Sequence, residues 1–261
     1  MREIGSMLGV STGRGIYSAV PRDTLVVIAD AHLGAPGGAS VEAFHRFLRH
    51  VPSLGDHLVI AGDLFEFLFV HARVLPRAAF PTLAALRALR DAGVRLSVVG
   101  GNHDRWARDL WERELDAAFD PEELTLGVGP RTVLVRHGDG LLEPDVPSRV
   151  LGWLVRRPML IGAVRWVHPD LLAGAVDRLA RRLGARGEDL PAAHAAQRVW
   201  AHARLAAPQA PDVLLLAHTH IAVAEMPVAA RWYVNPGAWF DGGRHAIVPA
   251  EGPPGLAQWS G

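Results

Sequence analysis

Cysteine and lysine are both missing from this chain of 261 residues. Without cysteine there is no disulfide, no thiolate metal site and no cysteine nucleophile. Without lysine there is no Schiff base and no P-loop amine, and every one of the 27 basic side chains is an arginine, a planar fork suited to phosphate. The 27 acidic residues balance them to a formal net charge of zero. That balance argues against non-specific nucleic-acid binding, which needs a clear basic excess. Also lacking is the run of roughly 18 apolar residues that a transmembrane helix requires. The first twenty residues hold no secretory leader core. The expectation is a cytoplasmic protein, with peripheral contact at the cytoplasmic face of the inner membrane left open and no obligatory protein partner.

What the chain does have is 49% hydrophobic residues, enough for a substantial core. They come in short runs that end in polar residues: LVVIAD (25–30), HLVIAG (57–62), RLSVVG (95–100), RTVLVR (131–136) and VLLLAH (213–218). Such runs suit strands buried on both faces. Between the early ones lie helical patterns, VEAFHRFLRHV (41–51) behind a capping Ser40, PTLAALRALRDAG (81–93) with proline at its start and glycine at its end, and RWARDLWERELDAAF (105–119). Strand and helix in alternation predict an α/β sandwich. After residue 210, IAVAEM, RWYVNPG and RHAIVPA predict short strands with tight turns. Residues 140–207 differ: they hold ten of the arginines, interrupted by Pro147, Pro158, Pro169 and Pro191. Within them Leu172, Val176, Leu179 and Leu183 share one helical face. This segment reads as a helical insertion in a single domain spanning 1–261.

The residues that follow the strands carry the chemistry. Asp30-Ala31-His32 follows the first, Gly62-Asp63 the second, Gly101-Asn102-His103-Asp104 the third, His137-Gly138-Asp139 the fourth and His218-Thr219-His220 the fifth. Carboxyl ends of strands converge on the ligand site in open α/β sheets. Imidazoles, carboxylates and one amide oxygen suit Mn²⁺, Fe²⁺, Zn²⁺ or Mg²⁺. In D-x-H and H-x-H on an extended strand end, residues i and i+2 point the same way. The ligands are too many for one tetrahedral ion. Two ions bridged by Asp63 account for them, the arrangement used for in-line displacement at phosphorus. Each motif alone is an ordinary surface turn; it is the five together that specify a site. His45, His50, His57, His71 and His245 are expected to be packing or surface residues.

D-x-H, G-D, G-N-H-D, H-G-D and H-T-H in this order resemble the calcineurin-like metallophosphoesterase family. The resemblance implies an αββα sandwich with Asp30, His32, Asp63 and His220 on one metal and Asp63, Asn102, His137 and His218 on the other. His103 would then be the catalytic histidine, oriented by Asp104. Arg105, directly after the H-D pair, is a candidate contact to the substrate phosphate or else simply the first turn of the following helix. One departure is Ala217, where the family usually has glycine. GDLFEF (62–67), WVHPDL (166–171) and NPGAWF (235–240) narrow the resemblance to the UDP-2,3-diacylglucosamine hydrolases of lipid A synthesis. Many of these read G-N-R-D where this chain has the general G-N-H-D. This narrower resemblance implies Mn²⁺, a helical cap at 140–207, a nucleotide-lipid substrate, and UMP and 2,3-diacylglucosamine 1-phosphate as products. The apolar Leu151, Trp153, Leu154, Met159, Leu160, Ile161 and Trp166 suit burial of acyl chains or else packing of this segment on the core. The alternatives are another phosphoester (a soluble or cyclic nucleotide, or a phosphoprotein) and a non-catalytic scaffold, which would be expected to lose ligands.

Overall fold

The computed structural model describes residues 23–35, 37–69, 74–141, 162, 166–168 and 190–261. Three parallel strands, β1 (Thr24–Ile28), β2 (His57–Ile60) and β3 (Arg95–Val99), form the centre of one sheet. They are joined by α1 (Val41–Leu54) and α2 (Phe80–Asp91). β4 (Ala118–Asp120) pairs parallel to β3. On the other side β10 (Arg244–Pro249) runs antiparallel to β1, and β11 (Gly255–Gln258) closes that edge. The second sheet has five strands, β5 (Glu123–Val128), β6 (Arg131–Arg136), β7 (Val213–Leu215), β9 (Arg231–Asn235) and β8 (Val223–Val228), in that spatial order. Its middle pairs, β6 with β7 and β7 with β9, are parallel; its two hairpins are antiparallel.

Strand side chains alternate between faces, and here both faces are apolar. Val26 and Ile28 of β1 pack with Phe44, Phe47 and Val51 of α1 and Leu86 of α2. Leu25, Val27 and Ala29 turn the other way, onto Val133, Val135, Val213 and Leu215 of the second sheet. Leu134, Leu214 and Tyr233 on the far face of that sheet meet Ala201 and Leu205 of α3 (Leu190–Ala206). The layers are therefore helix, sheet, sheet, helix, the αββα sandwich expected. Burial on both sides explains why the strands are continuous apolar runs rather than alternating ones. In α1, Ser40 Oγ accepts from the Ala43 N–H, and Phe44, Phe47, Leu48 and Val51 form its buried stripe.

The third predicted helix, 105–119, does not form. Leu110–Glu114 makes one π-helical turn and Ala118–Asp120 is a strand. Trp111, Leu115 and Phe119 recur every four residues and all are buried, which gave the segment its helical pattern. Asp116, however, lies at φ 49°, and the Ala117 N–H donates back to the Trp111 carbonyl, a helix-ending bond that frees the chain to pair with β3. β5 and β11 were not legible as strands. β5 is an edge strand with exposed positions on one face, and all four residues of β11 are exposed. Of residues 140–207, α3 is described; the amphipathic pattern at Leu172–Leu183 and the proposed acyl-contacting residues other than Trp166 lie outside the described residues.

Candidate metal centre

Both sheets end at the same place. β1, β2 and β3 deliver Asp30, His32, Asp63, Asn102 and His103 from one sheet, and β6 and β7 deliver His137, His218 and His220 from the other. The loops are stitched together by backbone bonds: Asp30 N–H donates to the Gly62 carbonyl, and the N–H groups of Ala31 and His32 both donate to that of Asp63. The side chains are not aimed by extended strand ends, as the spacing suggested. Asp30, His32, Asp63, His218 and His220 all have positive φ, between 45° and 70°. In D-x-H and H-x-H alike, the two ligands stand on left-handed residues either side of an ordinary one. Each such residue costs about 1–3 kcal/mol, and clustering of this strain marks functional sites.

Two ligand groups result. Side-chain donor atoms of Asp30, His32 and His220 lie within 4.8 Å of one another, and so do those of Asp63, His137 and His218. Asn102 Oδ1 joins the second group, 3.1 Å from His137 Nε2. Asp63 Oδ1 accepts the His103 N–H at 3.0 Å, while Oδ2 stands 3.1 Å from His137 Nε2 and 4.0 Å from His103 Nε2.

These residues fit divalent cations on three observations. Asp30 is fully buried, yet its Oδ1 has no hydrogen-bond partner among the described residues. Burial, together with the charge of Asp63, pushes its carboxyl up to about 7 despite the neighbouring His137. His137 Nδ1–H donates to the Ala61 carbonyl at 2.8 Å, so the lone pair of the neutral ring is on Nε2, facing two oxygens. Burial opposes charge on this ring, but Asp63 and then Asp30 and Asp139 lift its pKa to about 10. Burial also works to raise Asp63, but His137 and His103 hold it below the usual carboxylate range. In contrast, burial and the nearby His32 and His218 lower His220 to about 4, leaving a neutral imidazole of the kind metals take. These two buried carboxylates each have one backbone donor, His218 N–H for Asp30 and His103 N–H for Asp63, and buried charge beyond that is satisfied by cations between the groups.

His103 and its neighbours differ from expectation. Its Nδ1–H donates to the main-chain carbonyl of Glu66, not to Asp104. The Asp104 carboxylate instead accepts three backbone N–H groups, from Asp63 (3.3 Å), Leu64 (2.8 Å) and Gly101 (2.9 Å). It pins the loop after β2 to the loop after β3. Arg105 is 5% exposed, and its guanidinium donates to the Gly101 carbonyl, Glu122 and Asp139. It ties these loops together. The glycines before Asn102 serve close approach between these loops: a Cβ at Gly101 would stand 2.0 Å from Asp63 Oδ1 and one at Gly100 2.7 Å from the Arg105 Cβ. At Gly62, a Cβ would meet His137 Nδ1 at 2.4 Å.

Glu66 was missed by sequence reasoning. Its Oε2 lies 3.0 Å from His32 Nδ1, and His32, Glu66 and His103 form a third cluster of potential ligands. Its place three residues after Asp63 was the one available signal. Among the remaining histidines, His45 meets Thr82, His50 meets Ser53, His57 meets Ser97 and His245 meets the Gly243 carbonyl, all away from the site; His71 lies outside the described residues.

The sequence model of the calcineurin-like phosphoesterase family matches residues 24–222. A UDP-2,3-diacylglucosamine hydrolase from Escherichia coli is 35% identical over 133 residues, 51% of this chain and 55% of that protein. One from Stenotrophomonas maltophilia is 33% identical over 135 residues, 52% of this chain and 54% of that protein. The chain thus spans about half the length of the curated relatives it matches. Among solved structures, Yfce, a phosphoesterase from E. coli, aligns with a TM-score of 0.40 at 15% identity, over 86% of this chain and 87% of that one.

Proposed function

Because the chain belongs to the calcineurin-like phosphoesterase family, and is thereby a metal-dependent phosphoester or diphosphate hydrolase, we propose that it cleaves the pyrophosphate of UDP-2,3-diacylglucosamine. The products would be UMP and 2,3-diacylglucosamine 1-phosphate. The observation that carries the chemistry is the pair of ligand groups around Asp30 and Asp63, both buried at the meeting point of two sheets. The substrate rests on the similarity to the hydrolases of that name over about half the chain. The reading takes residues 140–207 as a helical cap in a single domain. Trp166, 92% exposed, supplies an apolar ring there for an acylated substrate. No helix among the described residues is long and apolar enough to cross a membrane. The reading puts the protein in the cytoplasm, meeting its lipid substrate at the membrane surface.

Asp30, His32 and His220 would hold one divalent cation and Asn102, His137 and His218 the other, with Asp63 between them; Mn²⁺ is the ion proposed. Two such ions supply charge neutralisation at phosphorus and a more acidic water. The chain's own contribution is orientation and a proton. With Nδ1–H held by the Glu66 carbonyl, His103 has Nε2 as the atom that carries a proton to the leaving oxygen. The His103 N–H bond to Asp63 Oδ1 fixes the distance between that imidazole and the metal ligands. Three backbone bonds to Asp104 keep both loops in register as charge moves.

His103 in place of the arginine common in this hydrolase group favours one second reading, a phosphodiesterase on a smaller substrate. The test is UMP release from UDP-2,3-diacylglucosamine with Mn²⁺, beside UDP-glucose and bis-p-nitrophenyl phosphate. Release from the acylated substrate alone, falling by about 10²–10⁴ in His103→Ala, is the expected result. Turnover of the small diester without the lipid would retain the chemistry and overturn the lipid substrate.

A further inference from the structure

We propose that Gln197 of α3 is a positioning residue for the second metal group, holding the strained turn that aims His218. The inference rests on the two-ion reading above. His218 sits in a three-residue turn: the Thr219 N–H donates to the Ala217 carbonyl at 2.8 Å, with His218 at φ 70° between them. A three-residue turn with a left-handed centre is the rare, strained form and needs outside support. That support converges on one atom. The Ala217 carbonyl also accepts from Gln197 Nε2 at 3.0 Å and from Asn235 Nδ2 at 3.3 Å. Ala217 in turn donates its N–H to the His137 carbonyl at 2.8 Å, so the same residue joins the two loops that supply His137 and His218.

Gln197 is 2% exposed, and both ends of its amide are used. Its Oε1 accepts from Tyr233 Oη at 3.0 Å, Thr219 Oγ1 at 3.3 Å and Asn235 Nδ2 at 3.4 Å. A Cβ at Gly138, the residue after His137, would stand 2.5 Å from Gln197 Nε2, so the amide also fits against the H-G-D loop. Satisfied buried networks of this kind specify one geometry, because any shift leaves a buried polar group unpaired. Among the described residues α3 reaches the first group through this same turn, where the His218 N–H donates to Asp30 Oδ2 at 3.1 Å and His220 follows Thr219, while the loops of Asp30 and His32 are otherwise held by Gly62 and Asp63 backbone. Gln197 also accounts for the tolerance of Ala217: the methyl at that position is fully buried with the strand core, and the turn's strain is carried by the carbonyl's three donors.

The experiment is Mn²⁺ titration of metal-depleted full chain by calorimetry, for wild type, Gln197→Met, Gln197→Glu and Tyr233→Phe, with melting temperatures recorded for each. Methionine keeps the volume without the amide, and glutamate keeps the shape but cannot donate to the Ala217 carbonyl. The expected result is two ions on wild type, with one of them bound at least tenfold more weakly in both Gln197 variants and the other changed less than threefold. Loss of an outer hydrogen-bond partner typically weakens metal binding 10–100-fold. Tyr233→Phe, which removes a partner of Gln197 and leaves the Ala217 bond, should lower the melting temperature with both affinities intact. A folded Gln197 variant that binds both ions as tightly as wild type, or weakens both equally, overturns the positioning role. A wild-type chain that takes fewer than two ions overturns the two-ion reading instead. If Gln197→Met does not fold, Gln197→Glu carries the same comparison.

Discussion

Glu66 and His32 meet through their side chains at 3.0 Å, Oε2 to Nδ1, and His32 also stands with Asp30 and His220 in one group of potential metal ligands. The carboxylate pulls this ring toward its charged form against the effect of burial. The same residue's main-chain carbonyl holds His103. One position therefore holds His32 with its side chain and His103, the proposed proton carrier, with its backbone, and the two contacts can be separated by substitution.

Glu66→Gln should weaken binding of one ion about 10–100-fold, because an amide holds His32 less strongly than a carboxylate. The carbonyl to His103 is untouched. At saturating Mn²⁺ the rate on bis-p-nitrophenyl phosphate should return to within a few fold of wild type. Mn²⁺ dependence of the rate, beside direct titration, checks this; a rate deficit that excess metal does not restore would contradict it.

Gly101→Ala should damage fold and site together. The new methyl would stand 2.0 Å from Asp63 Oδ1 and 2.5 Å from the Asp63 nitrogen, and a backbone cannot yield as a side chain can. The expected cost is about 1–3 kcal/mol in urea unfolding, with loss of metal affinity. Gly127→Ala, at a strand position with nothing within 4 Å, should be neutral or slightly stabilising in the same assay.

Arg105→Met should lower stability by about 1–3 kcal/mol, since it removes the ion pair to partly buried Asp139 and takes this donor from the Gly101 carbonyl. Its exposed partner Glu122 contributes little to that figure. The KM for a small phosphodiester in the folded variant should remain that of wild type. A large rise in KM with stability unchanged would restore Arg105 to the substrate.

His57 predicts a pH dependence of stability away from the metal centre. Burial, then the charge of Arg95, holds this ring at about 4, below its ordinary 6.5. Nε2 meets Ser97 Oγ at 2.8 Å and Nδ1 has no partner among the described residues. A depressed folded-state value means the full contribution is present above pH 6.5 and is lost as pH falls toward 4, because the unfolded chain takes up the proton first. Between pH 7 and pH 5 the loss from this residue should be about 2 kcal/mol. Chemical unfolding of wild type and His57→Asn at both values checks it: the pH-dependent loss should be smaller in the variant by that amount.

The sequence by itself determined the layers and the identity of the chemistry. Apolar runs of β-branched residues can be satisfied only between two covered faces, and D-x-H, G-D, G-N-H-D, H-G-D and H-T-H each follow one of those runs. Side-chain type and strand position are local properties, so they could be read without a fold. Tertiary structure decided what depends on contact between distant segments. Trp111, Leu115 and Phe119 have helical spacing, but pairing of Ala118–Asp120 with β3 ended the helix. Asp104 and Arg105 stand beside His103 in sequence, yet they reach Leu64, Glu122 and Asp139 on other loops. Glu66 stood inside GDLFEF with no role assigned and Gln197 in no motif, because each acts through residues 34 and 20 positions away. Left-handed backbone at five ligands was equally invisible: Asp and His do not announce positive φ, and only the bonds between loops hold it there.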